Sequence, residues 1–363
     1  MTTIEILKKA IESQASDIHI EVGLPPTIRV NGALLAMNAE KLTPAAAYEF
    51  IREIAPETHL KLLKSQGGSD FSYALDEKDS FRVSVFMQQG FPGCVMRLIP
   101  PYMRSLEDIG LNDKVIELLN KPRGLILLTG PTGSGKSTTL AAMINRINSE
   151  RACNIITVED PIEYRHRHNK SIVVQREVGE DVPSFDEAII RALRQDPDVI
   201  LVGEMRNYET IEAAIRAAET GHLVMSTLHT TGAARTVDRI VDVFPASHRD
   251  EIRTQLAGVL LCVISQQLLP LKDGKGRVAA FEIMFNTPSI AAYIRDNKTY
   301  RITSDLQTGA KFQMTTMDGS LLRLYTQGLI HYQDMIERCY DSDLLHKMLQ
   351  DYAIDSKGQM TRR

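Results

Sequence analysis

Two patterns of hydrophobic and polar residues divide this chain near residue 100. Before that point, short stretches in which apolar and polar residues alternate, such as residues 17–22, are typical of strands with one buried face. Residues 27–35 predict a hairpin that turns at Asn31-Gly32, because this dipeptide readily adopts the left-handed conformation of a two-residue turn. Further strands are predicted at 71–75, 81–86 and 94–99, and helices at 44–55 and at the N-terminus, where Ile4, Leu7 and Ile11 share one face.

From residue 124 onward, continuous apolar segments alternate with amphipathic segments. Strands that are buried on both faces lose the polar alternation, so these apolar segments predict a mainly parallel sheet that helices cover on both sides. The predicted strands are 125–129, 154–158, 199–202 and 223–227, and the predicted helices are 136–148, 185–194 and 208–219. The larger part of the chain is therefore predicted to have an α/β fold.

A pair of prolines separates the two patterns. Pro100-Pro101 interrupts regular secondary structure, so we predict a linker at residues 101–112. A smaller domain is then expected at residues 1–100 and a larger one at 113–363. The chain after residue 277 is predicted to be mostly helical.

Composition and charge argue against several classes of protein. The net charge of -4 argues against a protein that coats nucleic acid, because neutralising phosphates requires a surplus of lysine and arginine. The four cysteines are scattered without a Cys-x-x-Cys pair, which argues against a zinc cluster or a disulfide framework and favours a reducing compartment. No apolar run approaches the ~18 residues that span a bilayer, so we expect a cytoplasmic protein without direct membrane insertion.

A glycine-rich segment follows the first strand predicted in the larger domain. Residues 130–137 fit the pattern G-x-x-x-x-G-K-[S/T], whose glycines turn backbone N–H groups toward an anion while the following helix adds its positive end. Lys136 is expected to reach the β- and γ-phosphates of ATP, and Ser137 to ligate Mg²⁺. The residues predicted to bind the nucleotide are Gly130, Pro131, Thr132, Gly133, Ser134, Gly135, Lys136, Ser137 and Thr138. The alternative is a glycine-rich turn without a ligand.

Carboxylates follow two further predicted strands. Glu204 ends an apolar strand, the usual place for an acid that holds Mg²⁺ opposite a phosphate loop. Glu159, Asp160 and Glu163 follow another strand, at the sheet edge where ligands bind in open α/β folds. ATP hydrolysis needs a carboxylate there to polarise the attacking water. The alternative for each acid is a solvated residue at the end of a strand.

Two histidines stand on either side of the strand predicted at 223–227. His222 and His229 are too far apart along a strand to ligate one metal ion without other residues. The functional interpretation is that they sense the γ-phosphate, and the alternative is a structural role.

In their order and spacing, these segments resemble the secretion-superfamily ATPases. The phosphate loop is followed by Glu159-Asp160-Pro161-Ile162-Glu163, by residues 193–198 running into Gly203-Glu204, and by Thr220-Gly221-His222 through Thr227-Leu228-His229. The whole chain is similar to the PilT/PilU branch, the type IV pilus retraction ATPases. The similarity includes Ser16-Asp17-Ile18-His19-Ile20, Pro25-Pro26 and Asn286-Thr287-Pro288.

This resemblance implies a fold, an assembly and a set of roles. It implies a homohexameric ring whose subunits have a PAS-like α+β N-terminal domain and a RecA-like ATPase domain. Glu163 matches the catalytic glutamate of the family, and Glu204 matches its Mg²⁺-associated acid. His222 and His229 match its histidine box.

The resemblance also implies that arginines of the N-terminal domain face the nucleotide. Arg82 and Arg97 lie in the matching strands, and a guanidinium fork suits the charge of a phosphoryl group in transfer. Each could equally be a surface residue of a half-exposed strand. The full implied catalytic set is Glu163, Glu204, Lys136, Arg82, Arg97, His222 and His229.

Two departures from related proteins affect the functional interpretation. The chain lacks the extra N-terminal domain and the four-cysteine zinc element of extension and type II secretion ATPases, which favours retraction. Residues 289–296 keep only part of the segment Ala-Ile-Arg-Asn-Leu-Ile-Arg-Glu that retraction ATPases carry. This leaves open whether the subunit works alone or beside a second retraction ATPase.

The predicted function is therefore a motor ATPase at the base of a type IV pilus. The expected partners are further copies of the chain and an inner-membrane platform protein, with the motor peripheral to that membrane on the cytoplasmic side. One alternative is an ATPase of a related type IV or type II secretion assembly. A nucleic-acid translocase is a weaker alternative, because no basic cluster rich in aromatic residues is found.

Overall fold

A computed structural model describes residues 1–30, 32–76, 79–99, 104–350, 352–354 and 360–362. Asn31 of the predicted hairpin turn, and Pro100-Pro101 with the start of the predicted linker, lie outside the described residues. The chain divides into two compact units. The first contains Met1–Met103, Glu159–Arg165 and Gln175–Pro183, and the second contains Arg104–Val158, His166–Val174 and Ser184–Arg363. Two short segments from the middle of the sequence thus belong to the same unit as the N-terminus.

The first unit is an antiparallel sheet in the order β3-β2-β1-β6-β5-β4, with three helices. The helices are α1 (Thr3–Glu12), α2 (Pro44–Ile54) and α3 (Glu57–Gln66), and the strands are β1 (Asp17–Ile20), β2 (Thr27–Val30), β3 (Ala33–Ala36), β4 (Gly68–Ala74), β5 (Ser80–Gln88) and β6 (Phe91–Ile99). Alternation along β1 buries Ile18 and Ile20, which pack in one core with Phe71 and Phe81. The predicted hairpin at 27–35 is confirmed by the pairing of β2 with β3.

The second unit is built on a seven-stranded sheet in the order β13-β12-β7-β11-β10-β8-β9. Neighbouring strands from β12 to β8 run parallel, and β13 is antiparallel to β12. The strands are β7 (Gly124–Thr129), β8 (Asn154–Glu159), β9 (Ile172–Glu177), β10 (Val199–Val202), β11 (Leu223–Leu228), β12 (Leu260–Pro270) and β13 (Arg277–Phe285), and a small sheet pairs β14 (Tyr352–Ile354) with β15 (Met360–Arg362). The predicted α/β fold with a mainly parallel sheet is confirmed.

The helices of the second unit follow the strands in chain order. They are α4 (Leu106–Ile109), α5 (Asp113–Leu118), α6 (Lys136–Glu150), α7 (Phe185–Ala192), α8 (Tyr208–Glu219), α9 (Ala233–Asp242), α10 (Arg249–Val259), α11 (Pro288–Arg295), α12 (Ile302–Thr308), α13 (Met317–Thr326), α14 (Tyr332–Arg338) and α15 (Ser342–Gln350), with 3₁₀ turns at Ala246–His248, Thr299–Arg301 and Gly309–Phe312. Every residue of β7 and β11 is buried, as expected for strands covered on both faces.

Three predictions about individual elements need correction. Helix α1 buries Ile6, Leu7 and Ala10, and Ile4 is 53% exposed, because the apolar face runs one position away from the predicted one. Helix α3 and strand β9 are among the elements that were not predicted: α3 is largely polar, and β9 has three consecutive apolar residues followed by three polar ones, which is not an alternating pattern. The chain after residue 277 begins with β13, whose pairing with β12 extends the sheet before the helices begin.

Among the described residues, no helix has both the length and the apolar character that crossing a bilayer would require.

Candidate nucleotide site

The glycine-rich segment of the second unit forms a tight loop between β7 and α6. Gly130 has φ +141°, and a Cβ atom there would lie 2.3 Å from the backbone oxygen of Gln266. Gly135 has φ +88°, and a Cβ atom there would lie 2.9 Å from the Gln266 side chain. Both the left-handed backbone and the close approach to β12 therefore require glycine at these positions.

Lys136 lies back along this loop. Its Nζ donates hydrogen bonds to the carbonyl oxygens of Gly130, at 2.9 Å, and of Pro131, at 3.0 Å, and the residue is only 8% exposed. Burying an ammonium group in this way is costly unless it is paired or hydrogen-bonded. The lysine is thus held over the loop, in position to meet an anion.

The residues of the loop fit a phosphate group. The Ser134 hydroxyl is buried, and no hydrogen-bond partner is found for it among the described residues. Helix α6 begins after Gly135 without a side-chain cap, so its first backbone N–H groups are available. An orphaned hydroxyl, uncapped amides and a buried lysine together form an anion cradle of the kind that binds phosphates.

Oxygen donors suited to Mg²⁺ lie on the second unit as well. The exposed Ser137 is in the first turn of α6, and Glu204 follows β10. The two oxygens of the Glu204 carboxylate face Arg206 Nη2 at 2.6 Å and His229 Nε2 at 3.4 Å. Hydroxyl and carboxylate oxygens are the ligands that Mg²⁺ accepts, so these two residues fit the predicted ion.

The structure separates the two predicted histidines. Leu228 pairs with Thr129, so His229 follows β11 beside the start of the phosphate loop. His222 lies at the other end of β11, where its carbonyl oxygen accepts the N–H of Gly124 and its Nδ1 is 2.8 Å from the Ala217 carbonyl oxygen. His229 is therefore brought to the loop and to Glu204, whereas His222 is not brought to the loop of its own chain.

The predicted arginines belong to a row of charged residues across the sheet of the first unit. Arg82 on β5 is directly opposite Arg97 on β6, Arg97 is opposite Asp17 on β1, and Asp17 is opposite Arg29 on β2. Directly opposite residues lie on one face of a sheet, where like charges repel each other. Two guanidinium groups thus stand side by side on an exposed face, a pairing that favours an anion between them.

Carboxylates stand on both sides of this arginine pair. Arg97 Nε donates to Asp17 Oδ1 at 2.9 Å, and Arg82 Nη1 donates to Glu163 Oε1 at 3.1 Å. Burial raises the pKa of Asp17, but the Ser16 hydroxyl and Arg97 outweigh it and hold this pKa below its usual value. Glu163 and Arg82 are thus in contact within the first unit.

Several residues of these sites were missed by the sequence analysis. Gln266 packs against the phosphate loop and accepts a 2.8 Å hydrogen bond from Thr139. A signal for it was present, since a buried glutamine pair interrupts an otherwise apolar strand. Arg206 gave no comparable signal, and Asp17 was noted only within a segment that resembles the family, because the importance of both comes from partners that only the fold brings close.

Comparisons with known proteins show which family this chain resembles along most of its length. The family model described as type II/IV secretion system protein matches residues 2–311. The type IV pilus retraction ATPase PilT of Pseudomonas aeruginosa is 45% identical over 338 residues, which are 93% of this chain and 98% of that protein. The type IV pilus ATPase PilU of the same species is 37% identical over 345 residues, 95% of this chain and 90% of PilU.

A solved structure of the pilus retraction motor PilT with bound ADP is also similar. It matches with a TM-score of 0.89 and 46% identity, and the match covers 96% of this chain and 100% of that one. The similarity therefore includes both units and every predicted site segment. The chain belongs to the type II/IV secretion system protein family, in its branch of PilT-like pilus ATPases.

Proposed function

We propose that this chain is an ATP-hydrolysing motor subunit that drives type IV pilus retraction. The observation that carries the proposal is the phosphate cradle at residues 130–137, in a chain that is similar to a pilus retraction ATPase along nearly its full length. The cradle supports nucleotide binding, and the similarity to pilus retraction ATPases supports the proposal that ATP hydrolysis drives retraction.

In this proposal the charged residues divide the chemistry among them. Loop amides and Lys136 hold the triphosphate, and Ser137 and Glu204 hold Mg²⁺, which neutralises phosphate charge when bound. Glu163 orients the attacking water and accepts its proton. Arg82 and Arg97 stabilise charge on the phosphoryl group in transfer, and His229 reports the state of the γ-phosphate.

The assembly is also part of the proposal. A homohexamer would combine a PAS-like domain at residues 1–100, a linker at 101–112 and a RecA-like domain at 113–363 in each subunit. ATP hydrolysis would cause a conformational change that is transmitted to an inner-membrane platform protein, with the motor peripheral to the membrane. His222, which lies away from the phosphate loop of its own chain, would have to act toward a neighbouring subunit if it senses nucleotide at all.

Two measurements test the function. In a deletion strain of the source bacterium, we expect twitching to be lost while surface pili are retained or increased, and the native gene to restore twitching. Normal pilus dynamics together with a secretion defect would instead support a secretion ATPase. For the purified protein, Glu163→Gln is expected to lower the ATPase rate ~100-fold or more, and a rate within about twofold of native would show that Glu163 is not the catalytic base.

A further inference from the structure

The segment that carries Glu163 is irregular and lies between β8 and β9. Residues 160–164 belong to no helix or strand, so no regular ladder of backbone hydrogen bonds fixes them. A water-orienting carboxylate nevertheless has to be held within a fraction of an ångström, since a 1 Å misplacement can cost ~100-fold in rate. The source of this rigidity is therefore a question about the side chains around the segment.

A buried carboxylate on β9 holds the backbone immediately before Glu163. Glu177 is 8% exposed, and its Oε2 accepts the backbone N–H of Ile162 at 3.0 Å. The same carboxylate also accepts the backbone N–H of Ser72, in β4. Burial raises the pKa of Glu177, and the two N–H donors oppose that rise. The residue thus connects the Glu163 segment to the sheet of the first unit.

An amide on the same strand holds the backbone immediately after Glu163. Gln175 Nε2 donates to the carbonyl oxygen of Tyr164 at 2.8 Å and to Glu159 Oε1 at 3.2 Å. Gln175 and Glu177 are two residues apart on a strand, so their side chains lie on the same face. Glu177 is therefore hydrogen-bonded to the backbone of the residue before Glu163, and Gln175 to the backbone of the residue after it.

We propose that Glu177 and Gln175 are positioning residues that fix the Glu163 carboxylate from both sides for hydrolysis. The proposal rests on the proposed function, in which Glu163 orients the attacking water. The two contacts constrain backbone on each side of one residue, whereas the Arg82 contact constrains only the Glu163 side chain. Neither Glu177 nor Gln175 needs to touch the nucleotide, so their loss should affect the rate of hydrolysis and leave nucleotide binding intact.

Isosteric variants separate positioning from a general loss of packing. Glu177→Gln keeps the shape but leaves one acceptor for two N–H donors. Gln175→Glu keeps the shape but sets a carboxylate against the Tyr164 oxygen and the Glu159 carboxylate. Glu180→Gln is the matched control, because this carboxylate lies on the same segment but contacts Thr58 and His59 instead of the backbone around Glu163.

The experiment measures kcat and KM for Mg·ATP, and binding of a fluorescent ADP analogue, with these variants of the full-length chain. We expect Glu177→Gln and Gln175→Glu to lower kcat about 10-fold or more, with KM and ADP-analogue affinity within about twofold of native. Glu180→Gln is expected to leave kcat within about twofold of native. In the Glu163→Gln background, adding Glu177→Gln is expected to lower kcat less than about twofold further, because the two residues act through one group.

Each other outcome counts against the proposal in a distinguishable way. If Glu163→Gln lowers kcat but neither β9 variant does, the positioning role is wrong and the function stands. If Glu163→Gln itself keeps nearly the native rate, the catalytic assignment fails and the positioning role fails with it. If Glu180→Gln is as harmful as Glu177→Gln, or the double variant loses the full product of both effects, the contacts are merely structural. If Glu177→Gln fails to bind the ADP analogue, the positioning role of Glu177 is wrong, and Gln175→Glu tests the role of Gln175 by itself.

Discussion

The two units of this chain hold their cationic side chains in opposite ways. In the second unit, a buried lysine and backbone amides form a loop whose shape the glycines dictate. In the first unit, guanidinium groups stand on an exposed face, with 71% of the Arg97 side chain and 47% of the Arg82 side chain accessible. Exposed ion pairs of this kind contribute little to stability. The exposed Arg82–Glu163 pair is therefore expected to contribute little to stability, whereas Asp17, the partner of Arg97, is only 10% exposed.

This difference has a consequence for substitutions. A change in the loop should damage binding directly, because the cradle is one continuous piece of backbone. A change of Arg82 should leave the fold intact and lower activity alone. The following predictions, from the largest expected effect to the smallest, are ways to break that contrast.

The largest effect is expected for the lysine of the loop. Lys136→Ala removes a charged donor from a buried phosphate site, so kcat/KM for ATP should fall ~100-fold or more. Lys121→Ala, which changes an exposed lysine of the same unit, is the control and should hydrolyse ATP at the native rate. Equal turnover in the two variants would remove the loop from the mechanism.

A glycine of the loop comes next. Gly130→Ala forces a left-handed backbone and a contact of 2.3 Å with the Gln266 oxygen. We expect ADP-analogue affinity to fall about 10-fold or more and the free energy of unfolding by about 1–3 kcal/mol. Gly328→Ala controls for the strain, since φ there is +73° but nothing lies within 4 Å. A control as damaging as Gly130→Ala would mean that strain alone, and not the close approach, matters.

Substitution of Arg82 on the first unit should have a different effect. Arg82→Ala is expected to lower kcat about 10-fold, while the free energy of unfolding changes by less than about 1 kcal/mol. Arg52→Ala is matched to it, because Arg52 forms an exposed ion pair with Glu49 in the same unit. Urea unfolding and ATPase rates of both variants check this. A large loss of stability with Arg82→Ala but not with Arg52→Ala would mean that Arg82 has a structural role.

The smallest effect concerns pH. Because the pKa of Asp17 is lowered in the folded chain, its ionised form stabilises the fold, and this contribution is lost as the pH falls below about 4. Asp17→Asn should therefore lower the free energy of unfolding at pH 7, and the difference from native should shrink toward pH 3. Asp70→Asn, on the same sheet, is the control. A difference that does not change with pH would contradict a role for the Asp17 charge.

The sequence allowed the second unit to be predicted better than the first. The phosphate loop depends on residues that are adjacent in the chain, and the bounds of β10 and α8 agree with those predicted. The ion pairs of the first unit join distant parts of the chain: Arg97 and Asp17 are 80 residues apart, and Arg82 and Glu163 are 81 apart. No local pattern reveals which residues a sheet sets opposite each other, or that residues 159–165 join the N-terminal unit.

Some site residues lay beyond local patterns for a further reason. Glu177 ends a strand whose last three residues are polar, and only its burial and its two backbone donors distinguish it from a solvated acid. Both histidines were interpreted as sensors of the γ-phosphate, but the parallel pairing of β11 with β7 places only His229 at the end of the strand where the phosphate loop begins. The sequence showed that His222 precedes the strand and that His229 follows it. Only the fold shows that the phosphate loop lies at the end of the strand where His229 is found.

The most direct test of the account is the rate of ATP hydrolysis by the purified full-length protein, measured with Mg²⁺ and again after EDTA. We expect turnover that saturates at a KM between about 1 μM and 1 mM, as is usual for enzymes, and that disappears when EDTA removes the metal. Protein that neither binds Mg·ATP nor hydrolyses it, or that hydrolyses ATP equally well after EDTA, would contradict the assignment of residues 130–137 and Glu204 to a Mg·ATP site.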